Sequence, residues 1–178
     1  MKSIDTSKAT GAIFSDDRKY RYALWRLWSM TRKPLMFIGL NPSTATEITN
    51  DPTVVRCMTR AAKNGFGGLL VANLYAFVSS NPNVLTGEEE NYVGKDTDEY
   101  ILSMSKMAEV VVCGWGSFPA VNGRADAVLK MVQDPHCLGV NMDGHPKHPL
   151  YISYDKQIMK YKGRSNEYAN IILRQTSS

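Results

Sequence analysis

The sequence predicts an α/β domain of three layers: a short, mainly four-stranded parallel sheet between helices, preceded by an antiparallel hairpin. Three observations predict it. Short, wholly apolar runs recur along the chain, as strands buried on both faces require. Segments with helical spacing alternate with those runs, which implies right-handed crossovers and parallel pairing. No repeat, low-complexity tract or linker divides the 178 residues, so one domain over 1–178, with its core at about 20–151, is the economical reading.

In chain order, Gly11 to Phe14 and Tyr20 to Trp28 read as extended. In the second, Tyr20, Tyr22 and Leu24 alternate with Arg21 and Ala23, and Asp16-Asp17 supplies the turn of a hairpin or sheet edge. Pro34 to Gly39 (PLMFIG) is the first buried strand. A helix comes next over Pro52 to Lys63, with Val54, Val55, Met58, Ala61 and Ala62 on one side. Asp51 caps it, Pro52 suits its first position, and Gly65 ends it. Leu69 to Ala72 is the second buried strand. The turn Ser79-Ser80-Asn81-Pro82 and an acidic stretch then lead to a helix at about Asp96 to Met107. Glu109 to Cys113 (EVVVC), a helix over Pro119 to Val132, and His136 to Val140 complete the alternation, and a terminal helix is expected at about 164–174.

Composition narrows the class. Hydrophobic residues at 43% and charged residues at 21% are those of a globular protein. No apolar run approaches the roughly 20 residues of a membrane-spanning helix, so no membrane association is expected. The polar start, Met1 to Thr6, lacks the apolar centre of a secretory signal. Cys57, Cys113 and Cys137 are odd in number, far apart and set in apolar segments, which points to reduced thiols in the cytoplasm. The net charge of +4 suits a polyanionic partner and an ordinary basic enzyme equally. Basic residues cluster at 18–33 and again at 156–164 without forming a tract.

In open α/β sheets ligands bind beyond the carboxyl ends of the strands. The residues just past each strand are therefore informative. After the first comes Asn41-Pro42-Ser43, and Asn73 closes the second. The third leads into Gly114-Trp115-Gly116, and the fourth into a loop holding His145, Lys147 and His148. Asn41 precedes proline, which biases it to an extended backbone leading away from the sheet, although Asn-Pro-Ser is also ordinary turn chemistry. Next to Asp51-Pro52-Thr53 and the helix, a functional role becomes the better reading for Asn41-Pro42-Ser43. Asn73 offers a donor beside an acceptor, which suits the edge of a nucleobase or a loop backbone. Tyr75 and Phe77 can stack on a flat ligand or fill the core, as can Trp115 between its glycines. Metal binding is disfavoured, because His145 and His148 could chelate together only on a helix and each is followed by proline. No phosphate-loop, nucleophile-elbow or Cys-x-x-Cys motif is present, and no cofactor is expected.

Five motifs occur in order: FIGLNPSTA (Phe37 to Ala45), NDPTVVRC (Asn50 to Cys57), GFGGLLVANLYAF (Gly65 to Phe77), CGWG (Cys113 to Gly116) and PKHPLY (Pro146 to Tyr151). Together they resemble the bacterial and phage domain-of-unknown-function family 1643, a resemblance that covers Tyr20 to Tyr151 and implies no activity. More distantly the layout resembles the uracil-DNA glycosylase superfamily. That resemblance implies a nucleobase-recognising hydrolase of the N-glycosidic bond, with DNA as partner. Asn41 would orient the attacking water, Asn73 would read a flipped base, and His148 would stabilise the departing base, with His145 as the spare. Tyr75 or Phe77 would stack on that base, and Leu150 or Tyr151 would serve as the apolar wedge. The more active branches carry an acid where this chain has Asn41, and a neutral amide is no general base. A binding module with the same pocket, and an enzyme on a small nucleoside or nucleotide, are the other two readings. The oligomeric state is not legible.

Overall fold

The computed structural model describes residues 2–85, 89–118 and 121–164. Among the described residues seven strands form one mixed sheet: β1 (Thr10–Phe14), β2 (Arg21–Leu27), β3 (Leu35–Gly39), β4 (Gly68–Asn73), β5 (Val110–Cys113), β6 (His136–Cys137) and β7 (Met159–Lys160). Their order across the sheet is β1-β2-β4-β3-β5-β6-β7. The helices among the described residues are α1 (Pro52–Lys63), α2 (Glu90–Val93), α3 (Thr97–Met107) and α4 (Asn122–Met131), with short 3₁₀ turns at Pro82–Val84 and Pro149–Tyr151.

The α/β class is borne out by the alternation, but the sheet is larger than a short four-stranded parallel one, and it is mixed. The pairs β3–β4, β3–β5 and β5–β6 are parallel. Antiparallel strands extend them on both sides. The N-terminal hairpin does not stand apart: β2 pairs antiparallel with β4 from Leu24↔Val71 to Leu27↔Gly68, and β1 pairs with β2 beyond it. At the other edge β7 pairs antiparallel with β6. Met159 and Lys160 are both exposed, so β7 has no apolar run to announce it. The fourth apolar run yields a strand of two residues, because Gly139 takes φ +128° and turns the chain out of the sheet. The terminal helix expected at about 164–174 falls, from 165 onward, outside the described residues.

Side-chain alternation divides the core. Met36, Ile38, Leu70 and Ala72 pack with Tyr100, Ile101 and Met104 of α3 and Ala125 and Val128 of α4. Leu35, Phe37, Leu69 and Val71 face the opposite way and pack with Val54, Cys57 and Ala61 of α1. At the start of α1 the Asp51 carboxylate accepts the Val54 N–H at 2.8 Å, and Pro52 needs no partner for a missing donor. No helix among the described residues is long and apolar enough to cross a membrane.

The chain leaves β3 for β4 on one side and later returns to place β5 on the other. A crevice therefore opens at the carboxyl end of β3, where the strand order reverses. One wall of it, the loop between β3 and α1, is stapled from the sheet by Arg26. That side chain is 3% exposed and donates to Asn50 Oδ1 and to the carbonyls of Gly11, Trp25, Thr46 and Thr49, at 2.7–3.3 Å. Arg26→Met keeps the stem but strands those acceptors, so a loss of about 3 kcal/mol is expected. In thermal unfolding that loss corresponds to a fall in Tm of roughly 6–12 °C. Limited proteolysis should also open between residues 42 and 50, and an unchanged Tm with the loop still protected would show the staple to be dispensable.

Candidate functional site

The crevice is a cleft of about 810 Å³ over the carboxyl ends of β3, β4 and β5. Its floor is set by strand parity. Phe37 and Gly39 of β3 stand opposite Val71 and Asn73 of β4, and all four line the cleft. A Cβ on Gly39 would lie 2.8 Å from Asn73 Oδ1 and 3.3 Å from Phe37 Cε1. One on Gly114 would lie 2.5 Å from Phe37 Cε2. The two glycines thus clear the space that the Phe37 ring and the Asn73 carboxamide occupy. Asn73 is only 5% exposed, and its Nδ2 is buried with no hydrogen-bond partner. A buried amide donor left without a partner costs on the order of 1–3 kcal/mol, and a ligand acceptor in the cleft would recover it.

The wall beyond β3 carries Asn41, Ser43 and Asp51. Asn41 Nδ2 donates to the carbonyls of Ser79 (2.8 Å), Pro42 (3.1 Å) and Phe77 (3.4 Å). Its amide nitrogen is committed to the loop, which leaves Oδ1 as the group it can offer a ligand or water. Asp51, 6% exposed, is the one carboxylate among the residues lining the cleft. Arg21, 3% exposed, enters from β2 and donates from Nη1 to the Ala45 carbonyl at 2.8 Å, while its Nε has no partner. Burial pushes this guanidinium down to about 10, with Asp51 opposing the shift, so it stays protonated at neutral pH.

The loops after β5 and β6 form the far wall. The two histidines of the His-Pro-Lys-His-Pro run have different places. His145 is 3% exposed; its Nδ1 accepts the Trp115 indole N–H at 3.2 Å, and it lies outside the cleft lining. His148 lines the cleft. Its Nδ1 accepts the Leu150 N–H at 3.3 Å, which puts the proton of the neutral ring on Nε2. Lys147 lines the rim, and Asn141 Nδ2 ties the two loops together through Ser117 Oγ at 2.9 Å. Arg60 and Arg56 of α1 hold the chain beyond His148, donating to carbonyls of Ile152, Ser153, Tyr154 and Lys156.

Asn41, Ser43, Asp51, Asn73, Trp115, Lys147 and His148 are thus gathered around one cleft, and His145 is not among its lining residues. Tyr75 and Phe77 are also elsewhere. Strand β4 ends at Asn73, the chain turns, and Tyr75 is buried in the core on the α3 side. Phe77 packs edge-on against Tyr20 and Tyr92 and bridges back to Tyr20. Sequence reasoning passed over Phe37, Arg21 and Asn141. The signal for Phe37 was present, since it lies two residues before Gly39 and so shares its face. Among the described residues no three His, Cys, Asp or Glu side chains cluster as a metal site.

The family model described as Protein of unknown function (DUF1643) matches residues 21–150. No curated protein and no solved structure matches the chain.

Burial holds both His145 and His148 below the ordinary histidine value of 6.5, with Asp143 and Asp51 respectively opposing it. The unfolded chain therefore takes up protons at a higher pH than the folded one. Stability should be level above about pH 7 and fall as the solution is acidified through about 6.5. Urea midpoints at pH 7.5, 6.5 and 5.5 should decline in that order, and His148→Gln, which can still accept from Leu150, should flatten part of the decline. Midpoints that hold or rise on acidification would contradict this.

Proposed function

The chain belongs to that family of unknown function, and from its cleft we propose that it is a nucleobase-recognising, DNA glycosylase-like protein that hydrolyses the N-glycosidic bond of a modified or mismatched base. One observation carries the reading: the buried Asn73 carboxamide, whose Nδ2 has no partner, sits on the cleft floor beside the Phe37 ring. A flat heterocycle with a carbonyl edge satisfies both groups, the edge accepting from Nδ2 and the face packing on the ring. The proposal includes the likeness of layout to the uracil-DNA glycosylase superfamily. It is supported by parallel strands whose carboxyl ends lead to Asn41, Asn73 and the His148 loop. A DNA partner fits the net charge of +4, and a cytoplasmic setting fits three cysteines that are free and buried.

In this reading a base is turned out of the strand into the cleft. Asn41 Oδ1 orients a water, and Asp51 is the group in the cleft able to take its proton. The water oxygen bonds to C1′ as the C1′–N bond breaks. The electron pair leaves on the base, where the Nε2–H of His148 stabilises it.

A second reading is recognition without cleavage. It is favoured by Asn41, whose nitrogen is tied to loop carbonyls and whose oxygen cannot act as a base.

The test is incubation with single- and double-stranded DNA carrying normal, deaminated and hypermodified bases, with mass spectrometry of released base. Release is expected to fall roughly 10- to 100-fold in Asn73→Ala and to be lost in His148→Ala. Asn41→Asp supplies a base but loses the N–H donors to the Pro42, Phe77 and Ser79 carbonyls, so it should raise release at the cost of a lower Tm. Salt-sensitive DNA binding without release in any variant would establish the recognition module instead. Neither release nor DNA binding would point to a small nucleoside or nucleotide.

A further inference from the structure

Two arginines of β2 are equally buried and differently used. Arg26 and Arg21 are each 3% exposed, and a guanidinium offers five N–H donors. Arg26 places its donors on five acceptors. Arg21 places one, on Ala45, keeps a buried Nε without a partner, and lines the cleft. No ion pair within 4.0 Å joins it to a carboxylate among the described residues, Asp51 included. A cation removed from water with so few partners is costly, and an anionic ligand group is the partner that offsets the cost.

The surroundings favour an anion. The charged residues lining the cleft are Arg21, Lys147 and Asp51, two positive and one negative, beside a neutral His148. The α1 N-terminus opens there too. Pro52 has no N–H and the Val54 N–H goes to Asp51, so the Thr53 N–H remains at the positive end of the helix, and Thr53 lines the cleft. One oxygen of Asp51, Oδ1, is occupied as the cap of that helix. Ser43 also lines the cleft.

We propose that Arg21 marks an anion subsite in the cleft, and that the ligand is a nucleotide whose phosphate sits at Arg21 while its base reaches Asn73 and Phe37. The phosphate part stands on Arg21 alone; the placement of the base rests on the function proposed above. The phosphate can belong to a free mononucleotide or to a phosphodiester of a strand, because both present the same oxygens to a guanidinium.

The experiment is calorimetric titration of the full chain with inorganic phosphate, deoxyuridine, deoxyuridine 5′-monophosphate and a short oligonucleotide containing deoxyuridine. The monophosphate is expected to bind at least 10-fold more tightly than the nucleoside. Arg21→Lys should reduce that advantage to about threefold or less without weakening the nucleoside, since a point charge cannot reproduce the fork of donors. Asn73→Leu should do the reverse, weakening the nucleoside while inorganic phosphate still binds. Equal affinity of wild-type protein for nucleoside and monophosphate overturns the proposal without any variant, whether or not Arg21→Lys folds. Phosphate binding that depends on Arg21, with no nucleoside affinity, upholds the anion subsite and sinks the base reading. In the oligonucleotide, replacing the phosphodiester 5′ to the deoxyuridine by a neutral methylphosphonate should weaken binding if the strand is the occupant. If only the mononucleotide shows the phosphate advantage, the occupant is the free nucleotide.

Discussion

Loops at the ends of a sheet have no ladder to hold them, and their carbonyl oxygens still need donors. Here buried side chains gather those oxygens. Arg26 collects carbonyls from the loop that leads into α1, and Arg60 collects them from the segment after His148. Arg124 of α4 donates to Leu74 just beyond β4, and Asn41 donates across to the chain at Phe77 and Ser79. Each donor sits on or beside a strand or helix, so the mobility expected of connecting segments is removed where the cleft needs a fixed rim. The positive charge of these guanidinium groups is met by carbonyl dipoles rather than by carboxylates, apart from the Arg124–Asp98 pair. That leaves Asp51 free of a close ion pair among the described residues.

Against this thrift of donors stand a few buried N–H groups without a partner. The Nε groups of Arg56 and Arg60 lie outside the cleft lining, whereas Arg21 and Asn73, as deeply buried as Arg60, each keep an N–H without a partner and reach the same cleft. One is charged and one neutral, one near the α1 N-terminus and one beside an aromatic ring. A molecule that satisfies both has an anionic end and a flat polar end.

Much of this was legible in the residues. The buried runs at Pro34 to Gly39 and Leu69 to Ala72, the Asp51-Pro52 helix start, and the polar residues beyond each strand all led to the observed cleft. The features that were not legible have physical causes. Alternation sets Arg21 and Arg26 on opposite faces of an edge strand, but the register shifts where Phe14 pairs with Arg21, and both arginines reach the loop into α1. Tyr75 and Phe77 share the parity of Asn73 only if the strand continues, and it stops at Asn73. The two His-Pro steps are alike in sequence, and the contact of His145 with the Trp115 indole, far away in the chain, is not visible there. Strand β7 is exposed and two residues long, so no periodicity could mark it.

The antiparallel seam between β2 and β4 has a consequence for how the molecule comes to be competent. Parallel units that succeed one another in the chain can build the base-facing half of the cleft from Phe37, Asn73 and the loops beyond them. Arg21 arrives only when the N-terminal hairpin closes onto β4, a non-local pairing made in addition to the parallel ones. The cleft is in this sense a record of completed folding: a chain that has formed its centre but not its seam holds one end of the ligand and not the other. Whatever occupies the whole cleft draws on the finished chain alone, and so lends its binding energy to the fold as a unit.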